Sequence, residues 1–279
     1  MHQPERQVCP HNRHWHLYDK LPKTIKYENL YGFAFQIETF HRWSAALTLR
    51  EFNMILIPRF LSVKEVPSLS WSSPKALTLT PPIVSVVFLV IGLTLFGLGE
   101  ALIIAAGVGV SPWTVFAQGI THVTGWSIGF ATFMTSLVVL FCWIPLRQTP
   151  GIGTVLNAII IALVLDFLLP YLPTFDSLIL KIGAAIIGVL VTGFGGGLYL
   201  IANLGPGPRD GLMTGLQRMT SLPIAWVRSG LELTVVAVGW ALGGSVGFGT
   251  VLFALGIGPS VAASMYGLKN AFSKLERTG

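Results

Sequence analysis

Six apolar runs, each of about 20 residues, restrict this chain to folds that sit in a lipid bilayer. A helix rises about 1.5 Å per residue, so about 20 apolar residues span the roughly 30 Å hydrocarbon layer. One such run could be the core helix of a water-soluble protein, but six together cannot. The sequence therefore predicts an all-α integral membrane protein with six transmembrane helices. The runs cover residues 83–106, 126–146, 152–172, 180–202, 223–243 and 248–268.

The composition agrees with a bilayer environment. Only 11% of the residues are charged and 52% are hydrophobic, whereas soluble domains carry about 25% charged residues. The net charge of +6 could indicate nucleic-acid binding, but no basic stripe interleaved with aromatic residues accompanies it. The expected partner is therefore the lipid bilayer, and we expect no nucleic-acid partner.

Residues 1–80 differ in kind from the rest, with mixed charges and no sustained hydrophobic period. They contain a cluster of Cys9, His11, His14 and His16. Such side chains are good transition-metal ligands, so a metal site is one interpretation. The other, which we adopt, is a poorly ordered N-terminal extension. We accordingly expect no metal site and no cofactor.

The chain repeats itself at an offset of 96 residues, without gaps. The stretch GLGEALIIAAGVGVSPWTVFAQG (97–119) aligns with GFGGGLYLIANLGPGPRDGLMTG (193–215). At the same offset, GIGTVLNAI (151–159) aligns with GFGTVLFAL (247–255). Single matches of small residues are common in membrane proteins, but two motifs in one register indicate a true internal repeat.

Each repeat contains three spans, so the second repeat enters the membrane from the opposite side. This predicts a 3+3 inverted repeat, with residues 81–173 as the first half, 174–268 as the second and 269–279 as a cytoplasmic tail. With the N-terminus inside, Lys181 is the one positive residue of the outer loops, as the positive-inside rule requires. The inner side collects Lys64, Lys75, Arg147, Arg209, Arg218, Arg228, Lys269, Lys274 and Arg277.

A short segment follows the first span of each repeat, at residues 112–124 and 208–220. Thirteen helical residues reach only about 20 Å, too little to cross the bilayer. We therefore expect two interfacial or re-entrant helices, each starting at a proline that follows glycine. Helix N-termini bind anions, and paired half-helices form the midplane sites of secondary transporters. The predicted helix-break residues are Gly109, Pro112, Gly205, Pro206, Gly207 and Pro208.

Ionisable residues within spans are rare and are treated as functional candidates. The predicted substrate-binding residues are Arg209, Asp210, Glu232, Arg228 and Glu100. Arg209 could hold an anionic group with two hydrogen bonds or pair with Glu232, while Asp210 stabilises the start of its helix.

Each of these residues also has a simpler interpretation. Arg228 and Glu232 are spaced i, i+4 and could merely pin the span near the inner interface. Glu100 could line a cavity or lie among headgroups. The segment that carries Arg209 could be a cytoplasmic loop with an amphipathic helix facing lipid phosphates.

Catalytic patterns are weak, and we expect no enzyme. An aspartate dyad would need Asp166 and Asp210 close together, but the topology puts them toward opposite faces of the bilayer. No acidic residue accompanies Ser111 and His122 in a catalytic spacing, and Ser111 does not lie in a G-x-S-x-G motif. The stretch GPGPRDG has no G-K-[ST] and is not a P-loop.

Four stretches resemble a known family: GVSPWTVFAQG, LGPGPRDGLMTGL, VRSGLELTVVAVGWALGG and GFGTVLFALGIGP. They are similar to the YczE-type bacterial membrane proteins, of the wider YczE/YyaS/YitT group. The resemblance covers roughly residues 80–268. It implies a bacterial inner-membrane protein of five or six spans, with N- and C-termini cytoplasmic on the topology above. It implies no substrate.

The expected function is secondary transport of a small anionic or zwitterionic solute, with the two Gly-Pro half-helices forming the site. The alternative is a non-transporting accessory protein that supports a membrane-associated biosynthetic or export system. A homo-oligomer, or a partner in a membrane complex, is compatible with either. A transporter requires Arg209 and Glu232 to face a cavity between the repeats.

Overall fold

A computed structural model describes residues 66–78 and 80–278, and side chains as far as Lys274. The cluster of Cys9 and histidines lies outside these residues. All regular structure in the described part is helical, which confirms the predicted all-α class. The helices are α1 (Ile83–Ala106), α2 (Pro112–Thr124), α3 (Ile128–Trp143), α4 (Ile152–Leu168), α5 (Leu178–Ala202), α6 (Pro208–Thr220), α7 (Ile224–Ala241) and α8 (Phe248–Thr278), with a 3-10 helix at Leu169–Tyr171 after α4.

Five of these helices are long and apolar enough to cross a membrane: α1, α4 with its 3-10 extension, α5, α7 and α8. The short helices α2 and α3, bent by 112° to each other, form a sixth candidate. Large apolar side chains such as Phe141, Leu163 and Leu255 point outward and are 64–73% exposed. Such a surface is suited to lipid and not to water. The chain is thus a multi-pass membrane protein with five or six spans.

The two short helices have the predicted bounds, 112–124 and 208–220. Each starts with its proline at the first helical position, where the missing N–H costs no hydrogen bond. Both prolines are buried. Helices α2 and α6 therefore both begin inside the packed protein.

Helices α1 and α5 cross closely in the middle of the protein. Gly92 of α1 faces Gly195 of α5, and Gly99 faces Gly188, so the two helices run antiparallel. A Cβ atom on Gly92 would lie 2.9 Å from the Gly195 carbonyl oxygen, and one on Gly188 2.9 Å from that of Gly99. Small residues on both helices therefore permit backbone contact, as in other membrane helix pairs.

Two equivalent hydrogen bonds join the halves of the chain at the helix breaks. The Gly153 N–H donates to the Leu204 carbonyl at 2.7 Å, and the Gly249 N–H donates to the Val108 carbonyl at 2.7 Å. Donors and acceptors are each 96 residues apart, the spacing of the sequence repeat. The residue after each acceptor is a glycine at positive φ, +101° at position 109 and +115° at position 205.

The packed region extends beyond the repeat boundaries that the sequence suggested. Trp71 stacks on Phe88 with ring centres 4.2 Å apart, and the Ser73 N–H donates to the Ala202 carbonyl at 3.1 Å. These residues precede position 81, the expected start of the first repeat. At the other end, α8 continues without a break past position 268.

Candidate functional site

Helices α2 and α6 begin beside the same cavity, which lies between the two halves of the chain. Its volume is about 360 Å³. The first half contributes Phe96 and Trp113, and the second contributes Tyr199, Arg209 and Glu232. We call this space the large cavity. It gives the Gly-Pro breaks a common location, because both deliver the start of a short helix to one internal space.

Arg209 occupies the first turn of α6 and faces two aromatic rings. Its guanidinium carbon lies 5.6 Å from the centre of the Phe96 ring and 5.8 Å from that of the Trp113 ring. These distances are within the range of cation–π attraction. Among the residues that the structure describes, no hydrogen-bond acceptor or carboxylate pairs with this guanidinium. Its five N–H donors remain available to a ligand in the cavity.

Asp210 does not pair with the adjacent Arg209. Neighbouring residues of a helix point in different directions, so their side chains do not meet. Asp210 instead accepts a hydrogen bond from the Tyr199 hydroxyl at 2.7 Å. Tyr199 is buried on α5, so this bond anchors the first turn of α6 to the first helix of its own repeat.

Arg228 and Glu232 form the i, i+4 ion pair that their spacing on α7 predicted. The Arg228 Nε donates to Glu232 Oε1 at 2.9 Å. The two side chains are 47% and 21% exposed, and both line the large cavity. Among the described residues Glu232 pairs with Arg228 and makes no ion pair with Arg209.

Glu100 is buried, with 2% of its surface exposed. Its Oε2 accepts hydrogen bonds from Ser111 Oγ and Thr114 Oγ1, each at 2.8 Å, both at the start of α2. Its Oε1 is also buried and has no hydrogen-bond partner. The structure thus places Glu100 at an internal cavity, not among lipid headgroups.

A second, small cavity of about 30 Å³ adjoins Glu100. Its polar lining comes from Glu100, Thr114, Thr132, Thr135, Ser136, Asn157 and Arg209. Three residues line both this small cavity and the large one: Trp113, Asn157 and Arg209. The two spaces are therefore neighbours with a shared wall.

The residues singled out in the sequence thus divide between the two cavities. Arg209, Asp210, Arg228 and Glu232 line the large cavity, and Glu100 lines the small one. Of the predicted break residues, Pro112 and Gly207 line the large cavity and Pro208 the small one.

Gly109 and Gly205 form the tight turns before the short helices. Gly109 packs against Gly247, and Gly205 against Gly151. Pro206 contributes its carbonyl oxygen, which accepts a hydrogen bond from Thr154 Oγ1 at 2.7 Å.

Asp166 has a local structural role. It accepts hydrogen bonds from the Ser127 hydroxyl at 2.7 Å and from the Gly129 N–H at 2.8 Å, at the start of α3. It therefore has different partners from Asp210. Within the described ranges, no three His, Cys, Asp or Glu side chains gather as metal ligands would.

The sequence analysis did not identify Tyr199, Asn157 or Thr132 as site residues. Two of them carry a signal in the repeat alignment. Tyr199 aligns with Ile103, and Asn157 aligns with Phe253. In each case a hydrogen-bonding group in one half replaces an apolar side chain in the other, within a membrane span.

The family model that matches the chain covers residues 83–266 and is described as a family of unknown function, DUF6198. An uncharacterised protein of Haemophilus influenzae is 42% identical over 199 residues, covering 71% of this chain and 90% of that protein. The uncharacterised membrane protein YczE of Bacillus subtilis is 36% identical over 169 residues, covering 59% and 77%. YyaS of the same organism is 25% identical over 166 residues, covering 58% and 83%.

No solved structure matches the chain. The relatives YczE and YyaS are two members of the group that the sequence motifs resembled, so that resemblance is confirmed. The match to the family model includes every residue that lines the two cavities. The chain belongs to the DUF6198 family of YczE-type membrane proteins.

Proposed function

We propose that this chain is a secondary transporter of a small anionic or zwitterionic solute in the bacterial inner membrane. The observation that carries the proposal is Arg209, a guanidinium without a hydrogen-bonding partner among the described residues, at a cavity of about 360 Å³ between the halves. An arginine held inside a membrane protein with its donors unused is costly. A transported anion offsets this cost each time it binds.

The surroundings of Arg209 suit an anion. A guanidinium can hold a carboxylate, phosphate or sulfonate with two parallel hydrogen bonds. The first turn of α6 adds backbone N–H groups that have no partner within the helix, together with the positive end of the helix dipole. The rings of Phe96 and Trp113 flank the guanidinium and limit its movement.

Acceptors on other sides of the large cavity extend the site to zwitterions. Asp210 and Glu232 line this cavity, each already engaged in one hydrogen bond. A carboxylate has about four lone-pair sites, so both can accept more hydrogen bonds. A solute with an anionic group at Arg209 and an amino group on the other side would satisfy both kinds of residue.

We further propose that the chain is a 3+3 inverted repeat with both termini in the cytoplasm. The antiparallel crossing of α1 and α5, the first helices of the two halves, supports this arrangement. So do the reciprocal hydrogen bonds from Gly153 to Leu204 and from Gly249 to Val108. A two-fold axis in the membrane plane produces such exchanged contacts, because residue i of one half meets residue j of the other and conversely.

In such repeats the substrate site lies at the interface of the halves, where discontinuous helices meet. Alternating access then follows when one half rocks against the other around that site. The large cavity has this location, and its lining comes from both halves. A homo-oligomer is compatible with the mechanism but not required by it.

The proposal is tested by metabolite profiling of a host strain that lacks the gene, followed by reconstitution. The compound that changes in the deletion strain is loaded into proteoliposomes that contain only this protein. We expect flux that exceeds the flux in protein-free vesicles. A metabolic change in cells without flux in the vesicles would reject transport and favour the accessory role.

A further inference from the structure

We propose that the small cavity beside Glu100 binds a monovalent cationic group, next to the anion that Arg209 binds. The group is either the ammonium of a zwitterionic solute or a free sodium ion, and both are recognised by the same oxygen ligands. The inference rests on the proposed function, because it adds a cation-binding part to the anion site that we propose at Arg209.

The unpaired carboxylate oxygen is the first observation. Glu100 Oε2 already accepts hydrogen bonds from Ser111 and Thr114, while Oε1 is buried without a donor. Leaving a buried carboxylate oxygen without a hydrogen-bond donor is energetically unfavourable, because the oxygen has lost its water ligands and gained no partner. A cationic ligand removes this cost, because it supplies the missing donor or coordinates the oxygen directly.

The hydroxyls around the cavity are the second observation. Thr132 Oγ1 is buried and has no hydrogen-bond partner. Thr135 and Ser136 use their hydroxyl protons on the helix carbonyls of Ala131 and Thr132, at 2.8 and 3.0 Å. Toward a ligand, these two hydroxyl groups can therefore act only as hydrogen-bond acceptors. Beside the Arg209 guanidinium and the Trp113 indole, which also line it, the cavity presents hydroxyl lone pairs, the Asn157 amide and one carboxylate. Carboxylate and hydroxyl oxygens are ligands of a small hard cation or an ammonium group.

Trp113 supplies a further unused donor at the wall between the two cavities. Its Nε1–H is buried without an acceptor, and its ring lines both cavities. Together with the Arg209 guanidinium it offers hydrogen-bond donors to an anionic group. Hydrogen-bond donors and acceptors without partners thus line the two neighbouring cavities. A ligand that carries a positive and a negative group at its two ends needs such a lining.

The size of the small cavity restricts its occupant. About 30 Å³ is the space of one small group, since one water needs only about 10–15 Å³ by the same measure. An ammonium nitrogen or a dehydrated sodium ion fits, whereas a larger organic cation does not.

Arg209 couples the two sites, because it lines both cavities. Its positive charge opposes a cation in the small cavity as long as the large cavity is empty. An anion bound to the guanidinium compensates this charge, and the cation then binds more tightly. By thermodynamic reciprocity, the cation must tighten anion binding by the same factor.

The test uses the purified full chain and pairs of compounds that differ only in an amino group. Apparent affinities of taurine against ethanesulfonate, and of glycine against acetate, are taken from the shift of the thermal-unfolding midpoint. Each titration is run in sodium chloride and in potassium chloride. We expect either the amino compound to bind about tenfold more tightly, or sodium to tighten the simple anion about tenfold, within the usual range of site coupling. The first result assigns the cation to the solute, and the second assigns it to free sodium.

Glu100→Gln removes the charge and keeps the shape, so it should abolish the tenfold difference while the simple anions still bind. Asp176→Asn, an equal change on an exposed loop, should retain the difference. If Glu100→Gln does not fold, Thr132→Val provides the test. This change removes the unpartnered hydroxyl and should reduce the gain in affinity that the amino group or sodium produces.

Two outcomes would overturn the inference, and they are distinguishable. If anions bind in an Arg209-dependent manner but neither an amino group nor sodium improves binding, the small cavity holds only water and the proposed function stands. If no compound in the panel stabilises the wild-type chain, both the cation site and the anion site are rejected.

Discussion

The guanidinium of Arg209 lies 5.8 Å from the centre of the Trp113 ring, and the two residues occupy the same position in the two halves of the chain. Both follow the proline that starts a short helix. Residues at equal positions meet where a two-fold axis relates two halves. In the inverted repeat that we propose, Arg209 therefore makes the two halves differ in charge at this position, and the proposed solute site depends on this difference.

Replacing Tyr199 with phenylalanine should weaken both the fold and anion binding. The hydroxyl holds Asp210 through a 2.7 Å hydrogen bond, and loss of a bond to a charged group costs about 2 kcal/mol. Without this bond the first turn of α6, which carries Arg209, is no longer anchored to α5. We therefore expect a lower thermal-unfolding midpoint and a several-fold weaker apparent affinity for ethanesulfonate.

The matched control for this change is Tyr171→Phe, since Tyr171 is 76% exposed. Tyr171→Phe should leave the thermal-unfolding midpoint and the affinity for ethanesulfonate unchanged. If Tyr199→Phe binds anions as tightly as the wild type, the hydrogen bond between Tyr199 and Asp210 does not hold Arg209 in place for anion binding.

Replacing Gly211 with alanine should displace the start of α6. A Cβ atom at this position would overlap the ring of Trp143, which is 2% exposed. Trp143 also donates from Nε1 to the Pro208 carbonyl at 2.9 Å, so its displacement moves the residue before Arg209. Overpacking of a buried site costs about 1–3 kcal/mol, and we expect this loss together with weaker anion binding.

Gly230→Ala is the comparison for that change, because it lies in a helix with no atom within 4 Å of the added Cβ. It should be neutral or raise the unfolding free energy by about 0.5–1 kcal/mol, as alanine is the better helix former. Equal unfolding midpoints for the two variants would contradict the packing of Trp143 against α6.

The inverted repeat that we propose predicts which substitutions the helix ends accept. Gly107 ends α1 at φ +65°, and Asn203 ends α5 at φ +53°. Because asparagine already occupies this left-handed position in one half, Gly107→Asn should leave the unfolding midpoint nearly unchanged. Gly109→Asn should lower it, since φ is +101° there and a Cβ would lie 2.7 Å from the Gly247 Cα. If Gly107→Asn and Gly109→Asn lower the unfolding midpoint by similar amounts, the ends of α1 and α5 are not equivalent.

Much of the fold could be predicted from hydrophobicity and the repeat. Apolar run length located the spans, and the proline after a glycine-rich stretch fixed the starts of both short helices at 112 and 208. The helix formed by the run at 126–146 is shorter, Ile128–Trp143, because Arg147 and two prolines follow it closely. The hydrophobicity of an apolar run does not reveal that a helix ends within it.

The site was less predictable, because it depends on which side chains meet across the halves. Charge and spacing identified Arg209 and the Arg228–Glu232 pair, but Arg209 was counted with the positive residues of the inner side. Its position beside two aromatic rings depends on α1, which carries Phe96, and on α2, which carries Trp113, because both lie next to the start of α6. Likewise, the burial of Glu100 follows from its contacts with Ser111 and Thr114, which lie 11 and 14 residues away.

Flux through proteoliposomes containing wild-type protein, Arg209→Gln or Arg218→Gln tests the central claim most directly. The two variants lose the same charge from the same helix, but Arg218 is exposed in its last turn and does not line either cavity. With the compound that metabolite profiling identifies, we expect Arg209→Gln to lose at least about tenfold of the wild-type flux, equivalent to about 1.4 kcal/mol. Arg218→Gln should retain it. Equal flux in all three proteins would contradict a solute site at Arg209.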